Sequence, residues 1–159
     1  MSKRLPTHPI GVFDSGVGGL SVWREIRRQL PGEHTIYVAD QAHVPYGPRT
    51  SHEIRVFARE ITRFLIRAGA KTLVVACNTA SGAALQMLRR DFPDIQFVGM
   101  EPAVKPAVEQ TATGAIGVIA TSTTFQGTLF RRLATRFGKH VEIHTHVCSG
   151  LVEAVESGA

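Results

Sequence analysis

One local plan recurs along this chain: a short β-rich apolar run, a turn of small residues, then a segment with helical spacing. That order specifies a βαβ protein, because the apolar run feeds a parallel strand and the periodic segment supplies the crossover helix. The first unit is Ile10-Gly11-Val12-Phe13, then Asp14-Ser15-Gly16-Val17-Gly18-Gly19, then a helix predicted from Leu20 to Leu30 and stopped by Pro31-Gly32. Thr35 to Ala39 reads as the next strand. A loop through Asp40 and Pro45-Tyr46-Gly47-Pro48 follows, then a long helix from Ser51 to Ala68 with Glu53 in its first turn. Leu73 to Ala76 opens a third unit, with a helix around Ala80 to Arg90. Phe97-Val98-Gly99 leads through Glu101-Pro102 into another helix, and Ile116 to Ala120 precedes Thr121-Ser122-Thr123-Thr124 and a helix through Arg136. Right-handed crossovers bring such turns to one edge of a sheet. Asp14, Ser15, Cys77, Asn78, Thr79, Thr121 and Thr124 are therefore expected to converge, with a domain boundary near Gly99 to Pro102.

The chain has 159 residues, enough for one compact domain or one domain plus part of another. Its 43% hydrophobic and 19% charged residues read as a soluble globular chain, and neither fraction suggests disorder. The N-terminal MSKRLPTHPI lacks the apolar core of a secretory signal, and no apolar run approaches the roughly 20 residues that span a bilayer. A cytoplasmic location without a membrane partner is the expectation. Two cysteines, Cys77 and Cys148, suit reduced thiols better than a disulfide framework. The net charge of +5 raises the question of nucleic acid. Most of the arginines, however, are spread through helix-like stretches where solvated faces explain them, and no zinc-finger spacing or aromatic-rich basic motif accompanies them. Nucleic acid is therefore not the expected partner.

Cys77 ends the apolar run Leu73-Val74-Val75-Ala76 and precedes Asn78-Thr79-Ala80-Ser81-Gly82. The thiol thus belongs at a strand's carboxyl end and a helix N-terminus, where N–H groups favour the thiolate. A small buried hydrophobe is the alternative. Gly16-x-Gly18-Gly19 before a helix suits an anion, carboxylate as well as phosphate, but lacks the third glycine of the dinucleotide fingerprint and a Gly-Lys-Ser/Thr. A tight strand-to-helix turn needing glycine for backbone reasons explains it equally. His140, Glu142, His144, His146 and Cys148 share one parity of a strand-like run, so they form either a metal face or the polar face of an amphipathic strand. The second reading is the expected one, with no metal. Lysine occurs only at positions 3, 71, 105 and 139, outside the convergent turns, so a pyridoxal Schiff base is not suggested and no cofactor is expected. Asp14, Cys77 and Glu156, with Thr79, Thr121 and Thr124 as hydroxyl donors, suit proton abstraction beside a substrate carboxylate.

At these residues the sequence resembles the bacterial glutamate racemases. The matching stretches are GVFDSGVGGLSV (11–22), ADQAHVPYGPR (39–49), VVACNTAS (74–81), the Glu101-Pro102 strand exit, GVIATSTT (117–124), and the run from Cys148 to Val155-Glu156-Ser157-Gly158. Together they cover nearly the whole chain in family order. The resemblance implies a parallel-sheet α/β fold of two similar domains. Residues 1–99 would be the first, lacking its C-terminal return segment, and 100–159 the start of an incomplete second. It implies cofactor-independent interconversion of L- and D-glutamate, supplying D-glutamate for peptidoglycan. By motif, Cys77 is the catalytic cysteine that takes the α-proton from the D-enantiomer, Asp14 the acid that assists it, and Glu156 the carboxylate that works with the opposite side. Ser15, Tyr46, Gly47, Asn78, Thr79, Thr121 and Thr124 match groups that hold the substrate. The family's second catalytic cysteine lies in a Cys-Thr-His motif of a later segment, and Cys148 does not replace it. The expectation is half of a two-base site, with uncovered apolar surface that favours a homodimer. An aspartate racemase of related design, or a non-catalytic binding module of the same fold, are the alternatives.

Overall fold

The computed structural model describes residues 7–159; Met1 to Pro6, and with them Lys3 and most of the stretch read for a secretory signal, lie outside the described residues. Strand β1 (Ile10–Asp14), helix α1 (Leu20–Gln29), β2 (Thr35–Ala39), α2 (Ser51–Arg67), β3 (Thr72–Val75), α3 (Asn78–Asp91) and β4 (Gln96–Gly99) alternate as the pattern requires. The chain continues with α4 (Val104–Gln110), β5 (Ala115–Ala120), α5 (Ser122–Gln126), α6 (Thr128–Phe137), β6 (Glu142–Val147) and α7 (Leu151–Ser157). All strand pairing is parallel. The first sheet has the order β2-β1-β3-β4 and the second is the pair β5-β6.

Strand β1 lies between β2 and β3, with Val12 opposite both Tyr37 and Val74, and all five of its residues are buried. Period-2 alternation divides the sheet's side chains between two apolar layers. Phe13, Leu73 and Val75 face α2 and α3, where they pack with Ile54, Ala58, Leu65, Ala84 and Leu88. Ile10, Val12, Val74 and Ala76 face α1 and its Val22, Trp23 and Ile26. Coverage on both faces is what a parallel sheet demands, and it explains why these strands read as continuous apolar runs. Gly11 is required by the packing, because a Cβ there would sit 2.4 Å from Leu73 Cδ2.

Helix α2 starts one residue later than its cap. Thr50 Oγ1 accepts from the Glu53 N–H at 3.2 Å and Glu53 Oε2 accepts from the Thr50 N–H at 2.8 Å, a reciprocal box that satisfies two otherwise orphaned donors. The single helix expected through Arg136 is two. Gly127 takes an extended conformation (φ −66°, ψ 146°) and separates α5 from α6. In the second sheet, Ile116 packs with Val104, Phe130 and Leu133, and Val118 and Ile143 flank that cluster. Strand β6 departs from the amphipathic expectation, since Thr145 and Val147 are exposed as well as His144 and His146. No helix among the described residues is long and apolar enough to cross a membrane.

Candidate active site

The site begins at the carboxyl ends of β1 and β3. Asp14, the last residue of β1, is buried, and its Oδ2 accepts from the N–H of Gly19 at 2.9 Å and of Gly16 at 3.2 Å. The glycine-rich turn therefore uses these donors on the chain's own carboxylate. A Cβ on Gly19 would lie 2.6 Å from Asp14 Cβ and 2.8 Å from the Tyr37 hydroxyl, so glycine is there for close packing. The phosphate cradle is replaced by a tight turn. The next donor, the Val17 N–H, binds Glu156 Oε1 at 2.8 Å, and Gln41 Nε2 donates to Glu156 Oε2 at 2.8 Å. Helix α7 is thereby tied to the glycine turn and to the loop after β2.

Cys77 caps α3: its Sγ accepts from the Ala80 N–H at 3.3 Å and lies 3.7 Å from Ser15 Oγ. The cap explains why α3 starts at Asn78 rather than near Ala80. Burial, and secondarily the negative charge of Asp14, push the thiol up to about 11 against the opposing bonds from Ala80 and Ser15. This corrects the expectation of a thiolate. A helix terminus contributes on the order of 0.3–1 kcal/mol, whereas desolvating a charge costs several. At neutral pH Cys77 is a thiol. The same burial holds the Tyr37 and Tyr46 phenols well above their usual range, with Asp14 adding to the first and a hydrogen bond to Asp40 adding to the second.

Three hydroxyls connect the two sheets. Thr79 Oγ1, in the first turn of α3, lies 3.0 Å from Thr121 Oγ1 and 3.2 Å from Thr124 Oγ1, which are 2.9 Å from each other. Thr121 also caps α5 through the Thr124 N–H at 3.3 Å. Asn78 is exposed beside them, and Asn78, Thr79, Thr121 and Thr124 line one side of a cavity of about 460 Å³. The Gly47 carbonyl accepts from Thr123 Oγ1 at 2.7 Å and Ser122 Oγ at 3.3 Å, which fixes the 46–47 segment against α5.

Residues 10–158 match the family model for Asp/Glu/Hydantoin racemases. The chain belongs to this racemase family. It is 53% identical over 151 residues to a glutamate racemase of Roseiflexus sp. (strain RS-1), covering 95% of this chain and 56% of that protein. A crystal structure of Escherichia coli glutamate racemase, in complex with L-glutamate and the activator UDP-MurNAc-Ala, superposes with a TM-score of 0.87 at 39% identity, covering 95% of this chain and 57% of that one. A Francisella tularensis glutamate racemase in complex with D-glutamate gives a TM-score of 0.80 at 31% identity, covering 97% and 58%. The chain spans about half the length of the relatives it matches.

In this chain Asp14, Ser15 and Cys77 form one group and Thr79, Thr121 and Thr124 a second; Gly47 sits against Thr121 to Thr123, and the buried Tyr46 has its hydroxyl on Asp40. Glu156 is placed on the glycine turn. The sequence reading passed over Gln41, Ser122 and Thr123 as ligands of other site residues, and over Asp40 and His43 as a pair. Their contacts depend on the course of loops, which apolar periodicity does not report. Among the described residues no group of three or more His, Cys, Asp or Glu side chains is placed to hold a metal ion. His144 Nε2 lies 3.3 Å from Glu142 Oε1.

Proposed function

We propose that this chain is the N-terminal portion of a glutamate racemase, a cytoplasmic enzyme that interconverts L- and D-glutamate without a cofactor and supplies D-glutamate for peptidoglycan. Residues 1–99 are read as its first domain and 100–159 as the start of its second. The observation that carries the reading is the buried Cys77 thiol, set between Ser15 and the α3 N-terminus with Asp14 behind it. Racemisation needs an acid and a base on opposite faces of the α-carbon. Cys77 serves the face that bears the D-enantiomer's proton, and the second thiol lies in the remainder of the enzyme.

A thiol held up near 11 is well suited to deliver its proton to an α-carbanion as the D-enantiomer forms. In the reverse direction the thiolate removes that proton. The substrate ammonium, placed beside Cys77 and Asp14, lowers the thiol's pKa by opposing the Asp14 charge, which adds to the larger effect of burial. Asp14 assists this thiol. Ser15, Asn78, Thr79, Thr121 and Thr124, with the Tyr46–Gly47 segment, hold the ammonium and carboxylate groups, and Glu156 supports the opposite side of the site from the glycine turn. Exposed Ile119, Val147, Leu151 and Val155 support a homodimer. The test is racemisation followed by optical rotation in the intact enzyme. Cys77→Ser is expected to lower the rate by about 10³-fold or more, whereas an unchanged rate would remove Cys77 from the chemistry. Equal rates on aspartate and glutamate would overturn the assigned substrate.

A further inference from the structure

Asp40 is the second acidic strand exit of the first sheet, immediately after β2, and it is tied to the first by the Asp40 N–H, which donates to the Asp14 carbonyl at 3.0 Å. Its side chain is 10% exposed and both carboxylate oxygens are engaged. Oδ2 accepts from the Tyr46 hydroxyl at 2.6 Å, and Oδ1 lies 2.7 Å from His43 Nδ1. Its own carbonyl accepts from the N–H groups of His43 and Val44, both at 3.1 Å, so the chain turns around this one residue. The His43 ring stacks on Phe57 of α2, with centroids 3.9 Å apart and planes 17° from parallel. Phe57 also touches the Tyr46 ring, 5.8 Å between centroids. On the far side Arg49 Nε donates to the His43 carbonyl at 3.3 Å, and its guanidinium lies 3.9 Å from Glu53. The segment that reaches Thr121–Thr123 is thus pinned from Asp40 at one end and from α2 along its length.

A phenol has one proton to donate, and that of Tyr46 is committed to Asp40. Tyr46 therefore cannot donate to a substrate carboxylate without giving up a charge-assisted hydrogen bond. We propose that Asp40 is a positioning residue of the substrate site, holding Tyr46 through its hydroxyl and His43 through its ring so that the 46–47 backbone meets α5 in one fixed arrangement. The proposal rests on the racemase reading for its substrate, not for its geometry. Asn at position 40 keeps one acceptor oxygen for Tyr46 and exchanges the other for a donor that a neutral His43 nitrogen can accept, so Asp40→Asn preserves what Asp40→Ala removes.

The test is carried out in the intact enzyme. Asp40→Ala is expected to raise KM for D-glutamate by about tenfold with kcat within about threefold, and Asp40→Asn to stay within about threefold on both. Tyr46→Phe combined with Asp40→Ala should be no worse than Asp40→Ala alone, because both remove the same bond. A fall in kcat at unchanged KM would overturn positioning, as would additive effects of the two substitutions. An activity-independent readout is the ring NMR signal of Tyr46 with ¹³C-labelled tyrosine. Tyr37, the only other tyrosine, donates to the Gly16 carbonyl at 2.8 Å and is the internal reference. Asp40→Ala should shift the Tyr46 signal and leave Tyr37 in place; an unmoved Tyr46 signal would overturn the proposal. If the enzyme racemises nothing while Tyr46 still shifts, the functional reading fails and the positioning role stands.

Discussion

The two sheets of this molecule differ in how completely they are covered. In the first, β1 is buried along its whole length, with α2 and α3 on one face and α1 on the other. In the second, α4 and α6 cover the side of Ile116 and Val118, while Ile119 is 63% exposed and β6 has no fully buried residue. The difference separates two tasks. The covered sheet buries the Cys77 thiol and, close to it, the Asp14 carboxylate. The open one contributes polar groups that reach across: Thr121 and Thr124 to Thr79, Ser122 and Thr123 to Gly47, and Glu156 to Val17. The half with the complete core holds the buried thiol and carboxylate, and the other half supplies the contacts that reach across to it.

The sharpest way to break this comparison is to truncate one apolar residue in each sheet. Leu73→Ala in the covered sheet is expected to cost about 2–5 kcal/mol in urea unfolding, because the buried side chain leaves a cavity. Ile119→Ala in the open sheet should change stability by no more than about 0.5 kcal/mol. Equal losses would show that the two sheets are equally packed in solution.

The pH dependence sharpens the same point from the thiol. The folded value of Cys77 is raised from 9.0 to about 11, so the native state keeps this proton where the unfolded chain has released it. Stability from this source is complete below about 9 and is lost as pH rises toward about 11, by roughly 3 kcal/mol. The two raised phenols act in the same direction above about 10. Cys77→Ser should flatten the early part of the decline in denaturation midpoints measured from pH 8 to 11. The same slope in both proteins would mean that the thiol is not desolvated.

The contact between the halves is the subtlest element. Glu156→Ala removes the acceptor of the Val17 N–H and is expected to speed exchange of that amide by about tenfold, with the amides of β1 unchanged. Hydrogen exchange followed by NMR checks this, and a Val17 amide as protected as before would place Glu156 elsewhere in solution.

The sequence makes the covered sheet legible because parallel strands buried on both faces must be apolar throughout, and Leu73 to Ala76 followed by Cys77 locates both the strand and the thiol at its end. The convergence of Asp14, Ser15 and Cys77 follows from right-handed crossovers. Glu156 meeting Val17, 139 residues away, does not, nor does Asp40 gathering His43 and Tyr46 within one loop. Spacing states which residues share a face of a helix or strand and is silent on how a loop folds. The state of the thiol is not legible in the motif for an energetic reason: the helix terminus is visible in the sequence, and the burial that outweighs it is not.

The central claim is that these residues make the D-side half of a two-base site, and the most direct measurement is α-proton exchange by the 159-residue chain in deuterated water. Purified chain is incubated separately with D- and L-glutamate, and the α-proton is followed by NMR together with optical rotation. The account predicts exchange of the D-enantiomer without inversion, no exchange of the L-enantiomer, and loss of the D-exchange on Cys77→Ser. Exchange with inversion of both enantiomers, or D-exchange that survives Cys77→Ser, would contradict it.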